Sequence, residues 1–162
     1  MGTGRQRQLA ALAGLVIVAL LTAGCAEATN SLNPSRETIK TAHRHGLGTI
    51  LADEEDRTVY LFLDDPPGRS TCYGACASVW PPVTTAGRPK PEGLATSKLT
   101  SIHRSDGSTQ VAYAGHPLYY YQADTSSDDA YGEGISQFGA EWYALSPAGR
   151  QVEPKPGGSG GS

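Results

Sequence analysis

The feature that most constrains the fold is a short motif that occurs twice. Residues 58–65 align with residues 117–124, and both segments contain the pattern Tyr-x-aromatic-x-x-Asp. In each half a glycine-containing loop and then a tryptophan follow, Trp80 in the first half and Trp142 in the second. Two copies are too few for a solenoid, so the halves are expected to pack face to face as one pseudo-symmetric unit.

The chain around these motifs consists of short β-prone runs separated by turn residues. No helical periodicity is sustained, and the pair Asp106-Gly107 between two alternating runs is typical of a hairpin. The predicted strands cover residues 49–52, 58–63, 99–103, 110–113, 118–122 and 142–145. We therefore expect an all-β, mainly antiparallel domain of two β-hairpin-plus-Trp-strand repeats, with a possible helical turn at 73–79.

The first residues have the layout of a secretory signal. Two arginines precede an apolar stretch at residues 9–23, whose 15 residues fall short of the ~20 that span a bilayer. The small residues Ala23 and Gly24 before Cys25 resemble the lipobox of bacterial lipoproteins. This resemblance implies that Cys25 becomes the lipidated N-terminus, outside the cytoplasm at the cell membrane. An uncleaved membrane anchor is the alternative.

Composition divides the chain into four parts. The expected signal peptide is 1–24, and residues 25–45 have few large apolar side chains, so they are predicted to form a lipidated flexible tether. Residues 46–153 suit one small folded domain. The Pro/Gly/Ser-rich stretch 154–162 is predicted to be a disordered tail.

The charge balance limits the possible partners. Loss of Arg5 and Arg7 with the signal leaves 11 of the 13 basic residues and all 16 acidic ones, a formal charge of −5. An acidic chain without a basic run is unsuited to nucleic acid or to a polybasic membrane contact. The expected partner is the membrane through the lipid on Cys25, with an envelope protein or small ligand possible and no cofactor.

The cysteines that remain after lipidation are Cys72 and Cys76. An even pair in an oxidising compartment favours a disulfide. The alternative is copper binding or redox chemistry, because thiolates select Cu(I) and an imidazole from His103 or His116 could complete a site. Their Cys-x-x-x-Cys spacing differs from that of thioredoxin-like redox sites and zinc ribbons.

The aromatic residues of the motif admit two interpretations. Tyr60 and Phe62 share one face of a strand, as do Tyr119 and Tyr121. We favour burial in the core, because a small domain with few large aliphatic side chains needs its aromatics inside. The alternative is an aromatic platform for a sugar or planar ligand. Tyr120 points the other way and is the better candidate for an exposed contact.

The polar motif residues are more typical of turns than of catalysis. Asp65 and Asp124 follow their strands, where Asp commonly fixes a turn through backbone amides. Paired acid/base catalysis is the alternative, although no nucleophile accompanies them. The loop 124–133 is rich in oxygen ligands for calcium but lacks the EF-hand spacing, so a solvated acidic loop is favoured. His43 and His45 are expected to be solvated.

Taken together, these motifs resemble a bacterial lipoprotein family named for the doubled Tyr-x-(Phe/Trp/Tyr)-x-x-Asp pattern, the secreted repeats of unknown function. Residues 70–82, 104–119 and 138–143 look like further stretches of that family, and the resemblance spans roughly 46–149. It implies a lipid-anchored β-rich module without established activity. No hydrolase or phosphate-binding motif is present in the sequence, so we expect a non-enzymatic structural or binding module of the envelope.

Overall fold

The computed structural model describes residues 35–153. Its regular secondary structure consists of short strands and one five-residue helix, joined by turns and loops. The elements are β1 Thr38–Arg44, β2 Gly48–Asp53, β3 Tyr60–Phe62, α1 Ala75–Val79, β4 Lys90–Pro91, β5 Leu99–His103, β6 Thr109–Tyr113, β7 His116–Pro117, β8 Ile135–Gln137 and β9 Ala140–Ala144. They form three three-stranded sheets in the orders β2-β1-β4, β3-β9-β8 and β5-β6-β7. The all-β, antiparallel prediction is confirmed; in the described part β4 alone runs parallel to its neighbour.

Tight turns connect the strands of the second repeat where the sequence predicts them. Asp106 and Gly107 lie between β5 and β6, with Gly107 at φ 87° and the Asp106 carboxylate accepting the Ser108 backbone N–H at 3.0 Å. Ala114 and Gly115 join β6 to β7, both with positive φ. Two consecutive positive φ values define the hairpin turn whose twist matches the flanking strands. Local turn chemistry therefore fixes this sheet.

The two repeats are interlocked by strand pairing rather than merely stacked. Strand β3 of the first repeat pairs with β9 of the second, with Tyr60 opposite Ala144. In the equivalent place Tyr119 forms a bridge to Pro82 of the first repeat. Tyr60 and Tyr119 also face each other, each accepting the other's backbone N–H at 2.9 and 3.0 Å. The pseudo-symmetric unit is thus confirmed, and each repeat supplies a segment that completes the other.

Two groups of buried side chains fill the interior. One is mainly aliphatic, the other contains five aromatic rings, and each draws residues from both repeats. The aliphatic cluster comprises Ile39, Leu51, Val59, Leu61, Val83, Leu99, Val111, Tyr113, Leu118 and Leu145. The aromatic cluster comprises Ile50, Tyr60, Phe62, Cys72, Cys76, Trp80, Tyr119, Trp142, Ala144 and Val152. The motif residues therefore sit at the junction of the repeats.

Two sequence predictions about the strands are wrong. The predicted tether 25–45 overlaps β1, so the folded domain begins before residue 46. This strand forms because Ile39 is fully buried and the run pairs with β2, although Ile39 is its only large aliphatic residue. Residues 118–122 form no continuous strand, since the pairing there is limited to isolated bridges at Tyr119.

Several predictions fall outside the described residues. These predictions concern residues 1–34 and 154–162, which the structure does not describe. They are the signal peptide 1–24, the lipidation site Cys25, the part of the tether up to residue 34 and the tail 154–162. Within residues 35–153, no helix is long and apolar enough to cross a membrane.

Candidate functional site

The two motifs exchange hydrogen bonds across the junction of the repeats. The Tyr60 hydroxyl donates to Asp124 Oδ2 at 2.5 Å, and the Tyr119 hydroxyl donates to Asp65 Oδ2 at 2.5 Å. Each tyrosine therefore binds the aspartate of the other copy, not the one that follows it in its own motif. We call these two pairs the Tyr–Asp lock. Each of these hydrogen bonds therefore needs a residue from both copies of the motif.

Each aspartate of the lock also fixes the loop that follows it. Asp65 Oδ1 accepts the Thr71 backbone N–H and hydroxyl, both at 2.7 Å, and Asp124 Oδ1 accepts the Tyr131 backbone N–H at 2.9 Å. The turn-fixing interpretation of both aspartates therefore matches the structure. Their carboxylate oxygens are engaged by donors of the chain itself, which leaves little capacity for acid/base chemistry.

Burial sets the protonation states within the lock. Desolvation is the main cause that raises the pKa of Asp65 and of Asp124, opposed by the tyrosine hydrogen bonds. The same burial, together with the neighbouring carboxylates, raises the pKa of Tyr60 and Tyr119 far above the usual range. The phenols therefore remain protonated donors at any physiological pH. In the lock the two phenols are the donors and the two buried carboxylates are the acceptors.

The aromatic rings of the junction form a continuous stack of four. Phe62 stacks on Trp142 at 4.1 Å between ring centroids, Trp142 on Trp80 at 4.0 Å, and Trp80 on Tyr121 at 4.3 Å. The order is symmetric, because each outer ring comes from one repeat and lies on the tryptophan of the other. Such stacking adds to the large apolar area that the rings remove from water. The core interpretation of Phe62 is therefore confirmed; Tyr121 is partly buried.

Polar atoms at the rim of the stack are satisfied by one residue that the sequence interpretation missed. Trp80 Nε1 donates to Gln137 Oε1 at 2.9 Å, and Trp142 Nε1 donates to the Gln137 carbonyl at 3.1 Å. Gly132 packs directly on the stack: a Cβ at this position would lie 2.8 Å from both Tyr60 and Trp80. The sequence offers no signal for Gln137, since its role depends on two side chains distant in the chain.

The predicted disulfide between Cys72 and Cys76 is present, and both residues are buried. The loop that it closes is anchored from the second repeat by Arg104, which is buried and donates to the Cys72 carbonyl at 2.7 Å. Arg104 also donates to Ser70 Oγ and Gln110 Oε1, both at 2.7 Å. Cys76 itself lies in helix α1, which falls within the predicted helical turn. The disulfide thus holds the segment that leads into the stack.

The histidines do not complete a metal site with these cysteines. Throughout residues 35–153, no group of three or more His, Cys, Asp or Glu side chains is arranged to hold an ion. His103 is exposed next to Thr109, and burial lowers the pKa of the half-buried His116. His43 and His45 are both exposed, as expected.

Tyr120 is half-buried instead of forming a free contact, which corrects the sequence prediction. Its hydroxyl lies 3.2 Å from Glu37 Oε1 and 3.0 Å from Asp53 Oδ2, and the Arg57 guanidinium lies 4.1 Å above its ring. Arg57 also forms an ion pair with Asp53 at 2.6 Å. Desolvation and the charge of Asp53 raise the pKa of Glu37 to about 6. Charged side chains therefore cover this side of the ring, and one of them, Glu37, lies in the stretch predicted as a tether.

A small cavity lies between Tyr120 and Tyr121. Its volume is about 240 Å³, slightly below the ~300–1,000 Å³ that is usual for small-molecule sites. The remaining lining residues are Arg57, Thr58, Pro81, Gln122 and Asp124. It is a polar and aromatic recess next to the lock, and it could accommodate only a small group.

The acidic loop after Asp124 uses its carboxylates internally. Asp129 Oδ2 accepts the backbone N–H groups of Thr125 and Ser126, both at 2.8 Å. Glu133 is different: Oε2 accepts the Ala144 N–H at 2.7 Å, but the buried Oε1 has no partner within the described chain. Burial raises the pKa of Glu133 to about 7. Residues 125–128 of the loop are exposed, as favoured from sequence, whereas Glu133 keeps one carboxyl oxygen buried without a partner.

These observations define a class: a two-repeat β domain whose repeats exchange strands and Tyr–Asp hydrogen bonds around a shared aromatic stack. The chain belongs to the family described as secreted repeat of unknown function, which matches residues 41–84 and 100–146, once for each repeat. The family resemblance found in the sequence is therefore confirmed, and the family fits a protein that works outside the cytoplasm. Searches of curated proteins and of solved structures gave no match.

Proposed function

We propose that this protein is a lipid-anchored module of the cell envelope, held at the membrane through Cys25, with a structural or binding role and no catalytic one. The secreted family supports the location. The signal-like residues 1–24 and the small residues before Cys25 support the anchor. Two or three acyl chains would be needed for stable attachment, since one chain alone binds marginally.

The observation that carries the non-enzymatic role is the use of the motif residues by one another. The tyrosine hydroxyls and the carboxylates of the Tyr–Asp lock satisfy each other and the adjacent loops. Catalysis by an acid/base pair requires groups that can reach a substrate. The most distinctive residues of the family therefore build the scaffold, and recognition is left to the surface around them.

The anchor is tested by replacing its cysteine. Cells making the natural chain, Cys25→Ser, or Cys72→Ser with Cys76→Ser would be fed an alkynyl fatty acid and fractionated. The natural chain and the Cys72/Cys76 control should both take up label and remain with the membrane. Cys25→Ser should be unlabelled and either unprocessed or released. A labelled, normally cleaved and membrane-bound Cys25→Ser protein would refute the anchor.

The sequence also left an alternative function open, which is copper binding or redox chemistry through Cys72, Cys76 and a histidine. The intact mass of the purified domain, measured before and after exposure to copper, distinguishes this alternative from the proposed role. The proposed scaffold role predicts a domain lighter by two hydrogens, unchanged by exposure to copper. Free thiols that take up one copper ion, with uptake lost on Cys72→Ser, would replace our proposal with the copper alternative.

A further inference from the structure

A groove lies between strand β5 and residues 85–88, and we call it the β5 groove. Its volume is about 740 Å³, within the ~300–1,000 Å³ that is usual for small-molecule sites. Ser101 and His103 share one face of β5, and Thr109 of β6 lies opposite His103. The other wall is held beside β6 by the Thr85 N–H, which donates to the Thr109 carbonyl at 3.0 Å. The groove therefore opens over one face of this sheet.

The residues within 35–153 that line the β5 groove include no carboxylate. They are Thr85, Ala86, Gly87, Arg88, Leu99, Thr100, Ser101, His103 and Thr109. Three other cavities each contain an acidic side chain: Asp124 lines one, Glu153 a second and Asp128 a third. The chain has 16 acidic and 13 basic residues, so a groove with Arg88 and no carboxylate differs from its surroundings in charge. This charge favours an anionic ligand.

Several hydrogen-bond donors of the β5 groove have no partner in the part of the chain that the structure describes. The backbone N–H groups of Gly87 and Arg88 donate to no described acceptor, and the Arg88 guanidinium forms no ion pair there. Thr100 and Ser101 are exposed, and their hydroxyls are likewise unbonded within residues 35–153. Unpaired N–H and O–H donors beside a guanidinium suit the oxygen atoms of a phosphate.

Two carboxylates that are close to these residues in the chain have partners of their own. The Glu37 carboxylate accepts the Tyr120 hydroxyl at 3.2 Å. The Asp106 carboxylate accepts Arg104 Nε at 3.0 Å. Neither residue lines the β5 groove, so neither cancels the charge of its arginine by an ion pair.

The first described residues of the chain run along the wall of the β5 groove. The Ser35 carbonyl accepts the Ala86 N–H at 3.3 Å, and Arg36 Nε donates to the Arg88 carbonyl at 3.1 Å. Two arginines that are 52 residues apart in sequence are therefore neighbours beside the groove. The sequence contains no basic run, and only the fold brings these two charges together.

The position of Ser35 places the β5 groove within reach of the proposed membrane anchor. Ser35 is ten residues after Cys25, and ten residues span at most about 35 Å. A lipidated Cys25 would therefore keep the groove close to the bilayer surface. We propose that the β5 groove binds the phosphate of an anionic lipid headgroup in that membrane. The proposal rests on the anchor of the proposed function.

The lining of the groove matches a headgroup that combines a phosphate with free hydroxyls, as phosphatidylglycerol does. Arg88 and the unpaired backbone N–H groups beside it supply donors for the phosphate oxygens. The Thr100 and Ser101 hydroxyls both donate and accept, so they suit the hydroxyls of the glycerol. Arg36 adds a second positive charge next to the groove, and the site thus reads one headgroup rather than a broad basic surface.

The proposal is tested by vesicle sedimentation with residues 25–162 carrying Cys25→Ser, so that no acyl chain contributes. This parent should bind vesicles of phosphatidylglycerol and phosphatidylcholine in equal parts, and not vesicles of phosphatidylcholine alone. Arg88→Gln should weaken binding about fivefold, and Arg36→Gln with Arg88→Gln about 30-fold, because each basic residue near an anionic surface contributes a factor of about five. A parent that ignores both vesicles, or variants that bind like the parent, would overturn the proposal.

Arg69→Gln is the matched control for the loss of one charge. Arg69 is exposed and follows Gly68, whose N–H donates to the Gly115 carbonyl in the turn at the other end of β6 from Thr109. The Arg69→Gln protein should bind vesicles like the parent. If it lost as much binding as Arg88→Gln, the attraction would belong to the total charge and not to the β5 groove, which refutes the proposal.

The location and the source of the phosphate are tested by amide NMR. Dihexanoyl phosphatidylglycerol, kept below its micelle concentration, should shift the signals of Gly87, Arg88 and Ser101 in the parent and leave them in place in the Arg88→Gln protein. Shifts confined to other residues would place the site elsewhere and refute the proposal. If glycerol phosphate shifted these signals while the parent ignored the vesicles, the groove would serve a soluble phosphate ester, which overturns the lipid headgroup.

These measurements separate the groove from the anchor. They use a chain without lipid, so a failed anchor in the fatty-acid labelling experiment would leave the vesicle and NMR results unchanged. Conversely, a labelled natural chain at the membrane, together with a parent that binds neither vesicle, would keep the anchor and remove the headgroup site.

Discussion

The two repeats share their centre but differ in how the loop before each tryptophan is closed. In the first repeat the loop between Asp65 and Trp80 is closed covalently by the disulfide. In the second, the loop between Asp124 and Trp142 is held by carboxylates, among them Asp129. Both loops bring the chain back to the aromatic stack, but a disulfide holds the first loop and carboxylate hydrogen bonds hold the second. The duplicated motif therefore requires that the loop returns to the stack, and not a particular way of closing it.

Two buried arginines also occupy equivalent positions in the repeats but bind different partners. Arg44 and Arg104 occupy equivalent positions at the ends of β1 and β5, and both are 4% exposed. Arg44 donates to Thr58 Oγ1 at 3.2 Å, whereas Arg104 holds the disulfide loop through the Cys72 carbonyl. Their charges lower the pKa of the lock aspartate from the other repeat, against the larger effect of burial. The position is duplicated, and the partners have diverged.

The largest effect is expected from the stack, where the repeats should behave alike. Trp80→Ala and Trp142→Ala each remove a fully buried ring that stacks on both sides. Each should lower the free energy of unfolding by about 3–5 kcal/mol, measured by urea denaturation. Tyr131→Ala, at a side chain that is 65% exposed, is the control and should change it by less than about 0.5 kcal/mol. If only one of the two variants lost stability, the two tryptophans would not be equivalent and the comparison would fail.

The disulfide should produce a smaller and one-sided effect. Replacing Cys72 and Cys76 together with serine removes a cross-link that closes a short loop, which is worth about 2 kcal/mol. The same denaturation measurement should show this loss. Ser78→Ala, an exposed position in helix α1, is the matched control in the same segment. An unchanged free energy would mean that the Arg104 contacts suffice to close the loop.

The smallest effect should come from the second repeat and depend on pH. The folded pKa of Glu133 is about 7, above the ordinary 4.5, so its stabilising neutral form is present below about pH 4.5 and is lost as the pH rises through 7. The free energy of unfolding should therefore fall between pH 5 and 8, and Glu133→Gln should reduce this fall by on the order of 1 kcal/mol. The reduction is small because Glu133 is only partly buried.

A control keeps this result specific. Glu141→Gln alters an exposed carboxylate on β9 and should leave the slope against pH unchanged. If the unfolding free energy of Glu133→Gln depended on pH as that of the parent does, Glu133 Oε1 would have to be hydrated. The buried polar atoms of the second repeat would then be as fully hydrogen-bonded as those of the first.

Sequence patterns predicted what is local and missed what depends on distant partners. The Asp106-Gly107 turn and strands β5 and β6 follow from spacing and residue type, and the disulfide follows from an even pair of cysteines in an oxidising compartment. Strand β1 was missed because Ile39 is its only large aliphatic residue, and its stability comes from pairing with β2 and β4. The burial of Tyr120 depends on Glu37, which lies in the stretch predicted as a tether.

The same limit applies to the site itself. The doubled motif showed which residues matter, and the strand period placed the aromatics together. It could not show that Tyr60 binds Asp124 instead of Asp65, because the exchange is set by how the repeats pair. Gln137 had no signal, since its two indole partners converge only in the fold.

The central claim, that the motifs exchange partners between repeats, is tested most directly by double-mutant cycles. Tyr60→Phe with Asp124→Asn should show a coupling energy of about 1–2 kcal/mol in urea denaturation, since a buried hydrogen bond to a charged group is lost once and not twice. Tyr60→Phe with Asp65→Asn should be additive within about 0.5 kcal/mol. Coupling between Tyr60 and Asp65, with none between Tyr60 and Asp124, would contradict the Tyr–Asp lock.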